Sequence, residues 1–162
     1  MMKASEIERL IALDGKCGYN EANKAEFSRL SMKLLRELAK ELGFGKGQCD
    51  IRYNAAGIAC SGDATLHGDT LYININADSG MGILGRTCKG RKDYTGGTNQ
   101  WFRLDADAGF EVLLAWAKGI KAAGDIMARE RDAAMRLSKG LPPETTAALG
   151  AMFAGERKAL GL

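Results

Sequence analysis

The sequence predicts an α+β fold: an antiparallel meander of about five strands flanked by N-terminal and C-terminal helices, in one domain spanning 1–162. Three observations predict it. Apolar residues recur at helical spacing at both ends of the chain, they alternate with period two in the middle, and twelve of the 21 glycines lie between Gly43 and Gly97. Strands grouped between helices argue for helices packed on one sheet and against a doubly wound α/β arrangement.

The N-terminal part, 1–43, reads as two helices. Ser5 to Leu13 forms a short one, ended by "DGKCG". In "NEANKAEFSRLSMKLLRELAKEL", residues 20–42, Phe27, Leu30, Leu34, Leu35, Leu38 and Leu42 share one face. Asn20 supplies a cap and Gly43 a stop. In the middle part, 44–105, "TLYININ" places Leu71, Ile73 and Ile75 on one side and Tyr72, Asn74 and Asn76 on the other. Strands are expected over 49–54, 57–66, 70–76, 82–89 and 99–104. Short turns such as "HGDT" and "ADSG" make them antiparallel. In the C-terminal part, 106–162, a helix begins at Asp107 and carries Phe110, Leu113, Leu114, Ala117, Ile120, Gly124 and Met127 on one side. It runs to "SKG" at 138–140, "LPP" breaks it, and Pro143 opens a last helix bearing Leu149, Met152, Phe153 and Leu160.

The chain has 162 residues, is 46% apolar and 27% charged, and carries a net charge of +3. This is the composition of a globular protein and not of a disordered one. The charged start "MMKASEIERL" and the lack of an apolar run of roughly 18 residues lead us to expect a cytoplasmic protein with no membrane partner. Cys17, Cys49, Cys60 and Cys88 are widely spaced and read as reduced, mostly buried thiols.

The basic character is local. From Arg86 to Arg103, Arg86, Lys89, Arg91, Lys92 and Arg103 face one acid, Asp93, so this stretch is +4 and the remainder of the chain −1. One basic patch on a near-neutral body suggests a defined anionic ligand.

Catalytic and cofactor signatures fail on context. "GMGILG" has the letters of a dinucleotide fingerprint, but no crossover helix follows it. "GRTCKGRK" has the spacing of a phosphate-binding loop with Arg91 in place of the lysine and Lys92 in place of the Ser or Thr that holds magnesium. The single histidine, His67, stands at no zinc-like spacing from the cysteines and reads as a turn residue beside Gly68. With one histidine and no carboxylate pair in an evident motif, a binding protein is expected rather than an enzyme, with no cofactor and no metal. Asp63, Asp69, Asp78 and Asp93 sit in or beside turns, where Asp commonly bonds its own backbone.

The stretch "CKGRKDYTGGTNQWF" then supplies the candidate ligand-binding residues. Arg86, Lys89, Arg91, Lys92 and Arg103 offer charge to phosphate, and Gly96 and Gly97 allow close backbone approach. Tyr94, Trp101 or Phe102 could stack on a base, and Asn99 and Gln100 could read a base edge or ribose hydroxyl. Asp93 either orients Arg91 or accepts from a sugar hydroxyl or base amine. The plainer reading of the stretch is a solvated basic hairpin with Trp101 and Phe102 in the core.

"GIACSGDATLHGDTLYININ" followed by "GILGRTCKGRKDYTGGTNQWF", framed by helices, resembles small phage-encoded accessory proteins. The arrangement is similar to the Thoeris anti-defense type 1 proteins, phage proteins that sequester cyclic ADP-ribose isomers made by bacterial TIR-domain immunity without degrading them. The resemblance covers about residues 49–104 in motif and the rest in helix order. It implies ligand contacts from Arg91 and Asp93, from Asn99 and Tyr94, and from a second cation, Arg86 or Arg103. The expectation is therefore non-enzymatic sequestration of a cyclic nucleotide signal. A nucleic-acid-binding or host-protein-inhibiting phage module using the same loop is the alternative.

A homo-oligomer is also expected, a dimer or higher. Val112, Trp116, Ile126 and Met135 lie off the main apolar stripe of the long C-terminal helix, and one sheet face does not account for them.

Overall fold

The computed structural model describes residues 2–55, 62–77, 82–105, 109–137 and 143–161. Within them the order is α1 (Ala4–Ala12), α2 (Glu21–Glu41), β1 (Cys49–Asn54), β2 (Asp63–Gly68), β3 (Leu71–Asn76), β4 (Gly82–Thr87), β5 (Gln100–Arg103), α3 (Phe110–Leu137) and α4 (Pro143–Ala159). The five strands form one sheet in sequence order, each pairing antiparallel with the next. This is the expected α+β meander between helices.

α2 forms where the sequence provides both a cap and an apolar face. The Asn20 side chain accepts from the Asn23 N–H at 3.0 Å, and Gly43, at φ +77°, turns the chain out of α2. Phe27, Leu30, Leu34, Leu35 and Leu38 are fully buried and pack α2 on β1 and β2. α3 lies over β3 and β4, burying Leu113, Ala117 and Ile120. α1 rests on α2, and α4 packs on α3.

Alternation divides the sheet. Leu71, Ile73 and Ile75 are fully buried under the helices, and Tyr72, Asn74 and Asn76 point the other way. Gly85 belongs to the helix side, where a Cβ would stand 2.5 Å from Trp116 and 2.7 Å from Ile120, so only a glycine lets α3 approach.

Two expectations are corrected. β2 runs to Gly68 and not to residue 66, because its pairing with β3 continues until only Asp69 and Thr70 remain for the turn. His67 is thus a buried strand residue, not a turn residue. Ile126, expected to need a second chain, is buried within this one, and Trp116 is half-buried against Phe102, with ring centroids 5.3 Å apart. Val112 and Met135 remain exposed. The strand expected at 57–61, the turn at 78–80, the helix start at 107 and the break at 138–142 lie outside the described residues.

Replacing Gly85 with Val should destabilise the fold by about 1 to 3 kcal/mol through overpacking against Trp116 and Ile120. A lowered urea midpoint with unchanged slope checks this.

Candidate functional site

The loop between β4 and β5, residues 88–99, stands at one end of the sheet and separates two surfaces. Its shape is fixed from inside. The Asp93 carboxylate accepts backbone N–H groups from Lys89 at 2.8 Å, Thr95 at 3.1 Å and Gly96 at 2.7 Å. These bonds, that from Lys89 foremost, hold its pKa below the ordinary aspartate value. Arg91 then clips the loop to its neighbours. Its Nε donates to Asp69 at 3.1 Å and its Nη1 to the Gly47 carbonyl at 2.8 Å. Gly97, at φ +77°, lies where a Cβ would run into the Thr87 carbonyl.

The Arg91 and Asp93 side chains therefore do not form one unit: Arg91 pairs with Asp69, and Asp93 caps its own loop. Both bind the chain to itself.

The first surface is the open face of the sheet, against which no described helix packs. Cross-strand register sets three rows on it. Asp50, His67, Tyr72 and Arg86 form the first. Arg52, Thr65, Asn74, Leu84 and Trp101 form the second, and Asn54, Asp63, Asn76, Gly82 and Arg103 the third. The loop roofs the first row. Tyr94 meets His67 edge to face at 5.2 Å, and Arg86 Nη1 donates to the Gly96 carbonyl at 3.1 Å. Arg86 is buried, with its guanidinium 4.7 Å from the Tyr72 ring centre and no ion pair to a described residue. His67 is buried too, and burial is the main cause that pushes its pKa down. Its Nε2 has no partner among the described residues, so the backbone hydrogen bond that it shares with Gly90 falls to Nδ1.

The second surface is a groove on the helix side, between the loop and the distal half of α3. Two cavities lie there, about 340 and 370 Å³, each within the usual size of a small-molecule site. They share Thr87, Gly97, Met127 and Glu130 as walls. Lys89 and Arg131 line the larger from opposite sides, and neither side chain forms an ion pair with a described residue. Thr98, Gln100 and Ile126 line the smaller. Glu130 faces both cavities and lies 3.2 Å from Arg157, which holds α4 to α3.

The eight candidate residues thus do not converge. Lys89 lines the groove. Arg86 and Tyr94 belong to the open face, Arg103 stands at its far corner, and Arg91 and Asp93 build the loop. Lys92 and Asn99 are exposed. Trp101 is exposed on the open face, whereas Phe102 is half-buried against Trp116, so the pair expected together is divided by alternation. Arg131, Thr98 and Glu130 were not anticipated. Arg131 and Met127 are one helical turn apart, but that spacing does not say which loop an α3 face will meet.

Comparison of the chain with protein-family models, with curated proteins and with solved structures gave no match.

Two outcomes are expected. Asp93→Ala should speed amide exchange at Lys89, Thr95 and Gly96 while leaving the core strands protected, as hydrogen exchange would record. Neutral His67 contributes stability that is whole above its unfolded pKa of about 6.5 and is lost as pH falls through its lower folded-state value. Thermal melts from about pH 7.5 to 4.5 should therefore decline more steeply for wild type than for His67→Gln.

Proposed function

We propose that the chain binds a small phosphate-bearing nucleotide in the groove and holds it chemically unchanged. The observation that carries this reading is the pair of cations, Lys89 on the loop and Arg131 on α3, facing one cavity without ion pairs to described residues. Two such charges across a cavity favour a dianionic group between them. The adjoining cavity supplies what a nucleoside needs: the apolar surface of Ile126 and Met127 for a base, and Gln100 and Thr98 for its edges or for ribose hydroxyls.

The motif resemblance of residues 49–104 to the Thoeris anti-defense type 1 proteins names the nucleotide as a cyclic ADP-ribose isomer and the role as phage counter-defence. Sequestration requires affinity and protein in excess of the signal, with no proton transfer. A homo-oligomer belongs to the same reading, with exposed Val112 and Met135 on α3 as its candidate contacts.

Protein incubated with a nucleotide pool, washed and heated should release an intact nucleotide, identified by mass spectrometry. Lys89→Ala and Arg131→Ala should each weaken its binding about tenfold or more in calorimetry. Unchanged affinity in both variants would remove the groove from the site, and turnover of excess ligand would make the protein an enzyme. Light scattering at micromolar concentration should give a multiple of the 17.4 kDa chain mass.

A further inference from the structure

The open face of the sheet has no part in the groove, and its side chains suit a different ligand. Two large aromatics stand out from it: Trp101 is 64% exposed and Tyr94 62%. Trp101 is there because register places it opposite Leu84, away from α3, while its neighbour Phe102 takes the core side. Tyr94 is held by the loop in a T-shaped contact with His67 and leaves most of its surface to solvent. Neither is excess core, and each presents a π surface to water. Counting strand spacings of about 4.8 Å from β2 to β5, the two rings lie about 15 Å apart along the face.

The surrounding charge is positive. Arg52, Arg86 and Arg103 lie on the strands with Asp50 and Asp63, and the loop adds Lys92, and Arg91 in its pair with Asp69, beside Asp93. The acids are already engaged. Asp63 accepts from Asn54 and Asn74, Asp50 lies 3.4 Å from Arg52, and Asp93 is held by three backbone N–H groups. Side-chain cations at Arg103 and Lys92 make no ion pair with a described residue, and Arg52 keeps most of its surface in solvent.

We propose that this face binds single-stranded nucleic acid. Trp101 and Tyr94 act as stacking platforms for two bases of one strand, and Arg52, Lys92 and Arg103 contact phosphates. A single strand is required, because stacking needs bases whose faces are free, and in a duplex those faces are occupied by neighbouring pairs. An uncovered antiparallel sheet with aromatic side chains among cations meets that need without reading sequence. The site is independent of the groove, which lies across the sheet.

The test uses the full chain and labelled oligodeoxythymidine of about twenty nucleotides, with a duplex of the same length, followed by fluorescence anisotropy across a salt series. The expected result is binding that weakens steeply with salt and prefers the single strand. Trp101→Ala and Tyr94→Ala should each lower affinity about five- to a hundredfold, with Trp101→Phe retaining most of it. Arg52→Ala and Arg103→Ala should each flatten the slope of log affinity against log salt by about 0.7. In a Trp116→Phe background the oligonucleotide should quench the remaining Trp101 fluorescence. Arg131→Ala should leave oligonucleotide affinity unchanged, which separates this site from the nucleotide groove.

Three results would overturn the proposal. One is no binding at low salt. Another is equal binding of duplex with no effect of Trp101→Ala, which would assign any affinity to loop charge alone. The third is a Trp101→Ala variant that dissociates an oligomer in light scattering without changing oligonucleotide affinity, which would make the face a contact between copies of this chain.

Discussion

The Asp93 carboxylate is the interaction on which both functional surfaces depend. It gathers three backbone N–H groups from Lys89, Thr95 and Gly96 and so folds the eight residues from Lys89 to Gly96 around one charge. Charge-assisted bonds of this kind are about twice as strong as neutral ones, and they replace the ladder hydrogen bonds that a loop lacks. Because the carboxylate sits in the middle of the loop, Lys89 is turned to the helix side and Tyr94 to the open face. Both the groove wall and the stacking platform follow from that division.

The loop is then fastened to the tip of the β2–β3 hairpin. Arg91 reaches Asp69, the Cys88 N–H donates to the Thr70 carbonyl at 3.2 Å, and the Cys88 thiol lies 3.4 Å from the Gly68 carbonyl. α3 is tied to the same tip, since the Thr70 hydroxyl donates to Asp125 at 2.6 Å and Gly124 passes against the Thr70 carbonyl. The two walls of the groove therefore share one anchor. A shift of the hairpin tip would carry Lys89 and the distal part of α3 together, and this is how a groove between a loop and a helix keeps a fixed width.

Much of the fold was legible because burial imposes period on sequence. Leu71, Ile73 and Ile75 alternate because one side of β3 is dry, and Phe27 to Leu38 recur at helical spacing because α2 has one side against the sheet. His67 was misplaced because the rule that glycine and aspartate make turns says nothing of how far a ladder pairs before it yields. The charge count located the loop. It did not distinguish Arg91, which holds the loop in place, from Lys89, which lines the groove, because both are basic residues in the same run.

The sequence by itself determined the meander between helices, its apolar and polar faces, and the concentration of positive charge after β4. Each follows from interactions between residues near in sequence or from the solvent preference of single side chains. Only the tertiary structure decided that Arg91 pairs with Asp69 and not with Asp93, that Arg131 of α3 faces Lys89 across a cavity, and that Trp101 and Phe102 part to opposite sides of the sheet. Those depend on register and on the approach of α3 to Gly85, distances between elements far apart in the chain, and such distances leave no period in the sequence.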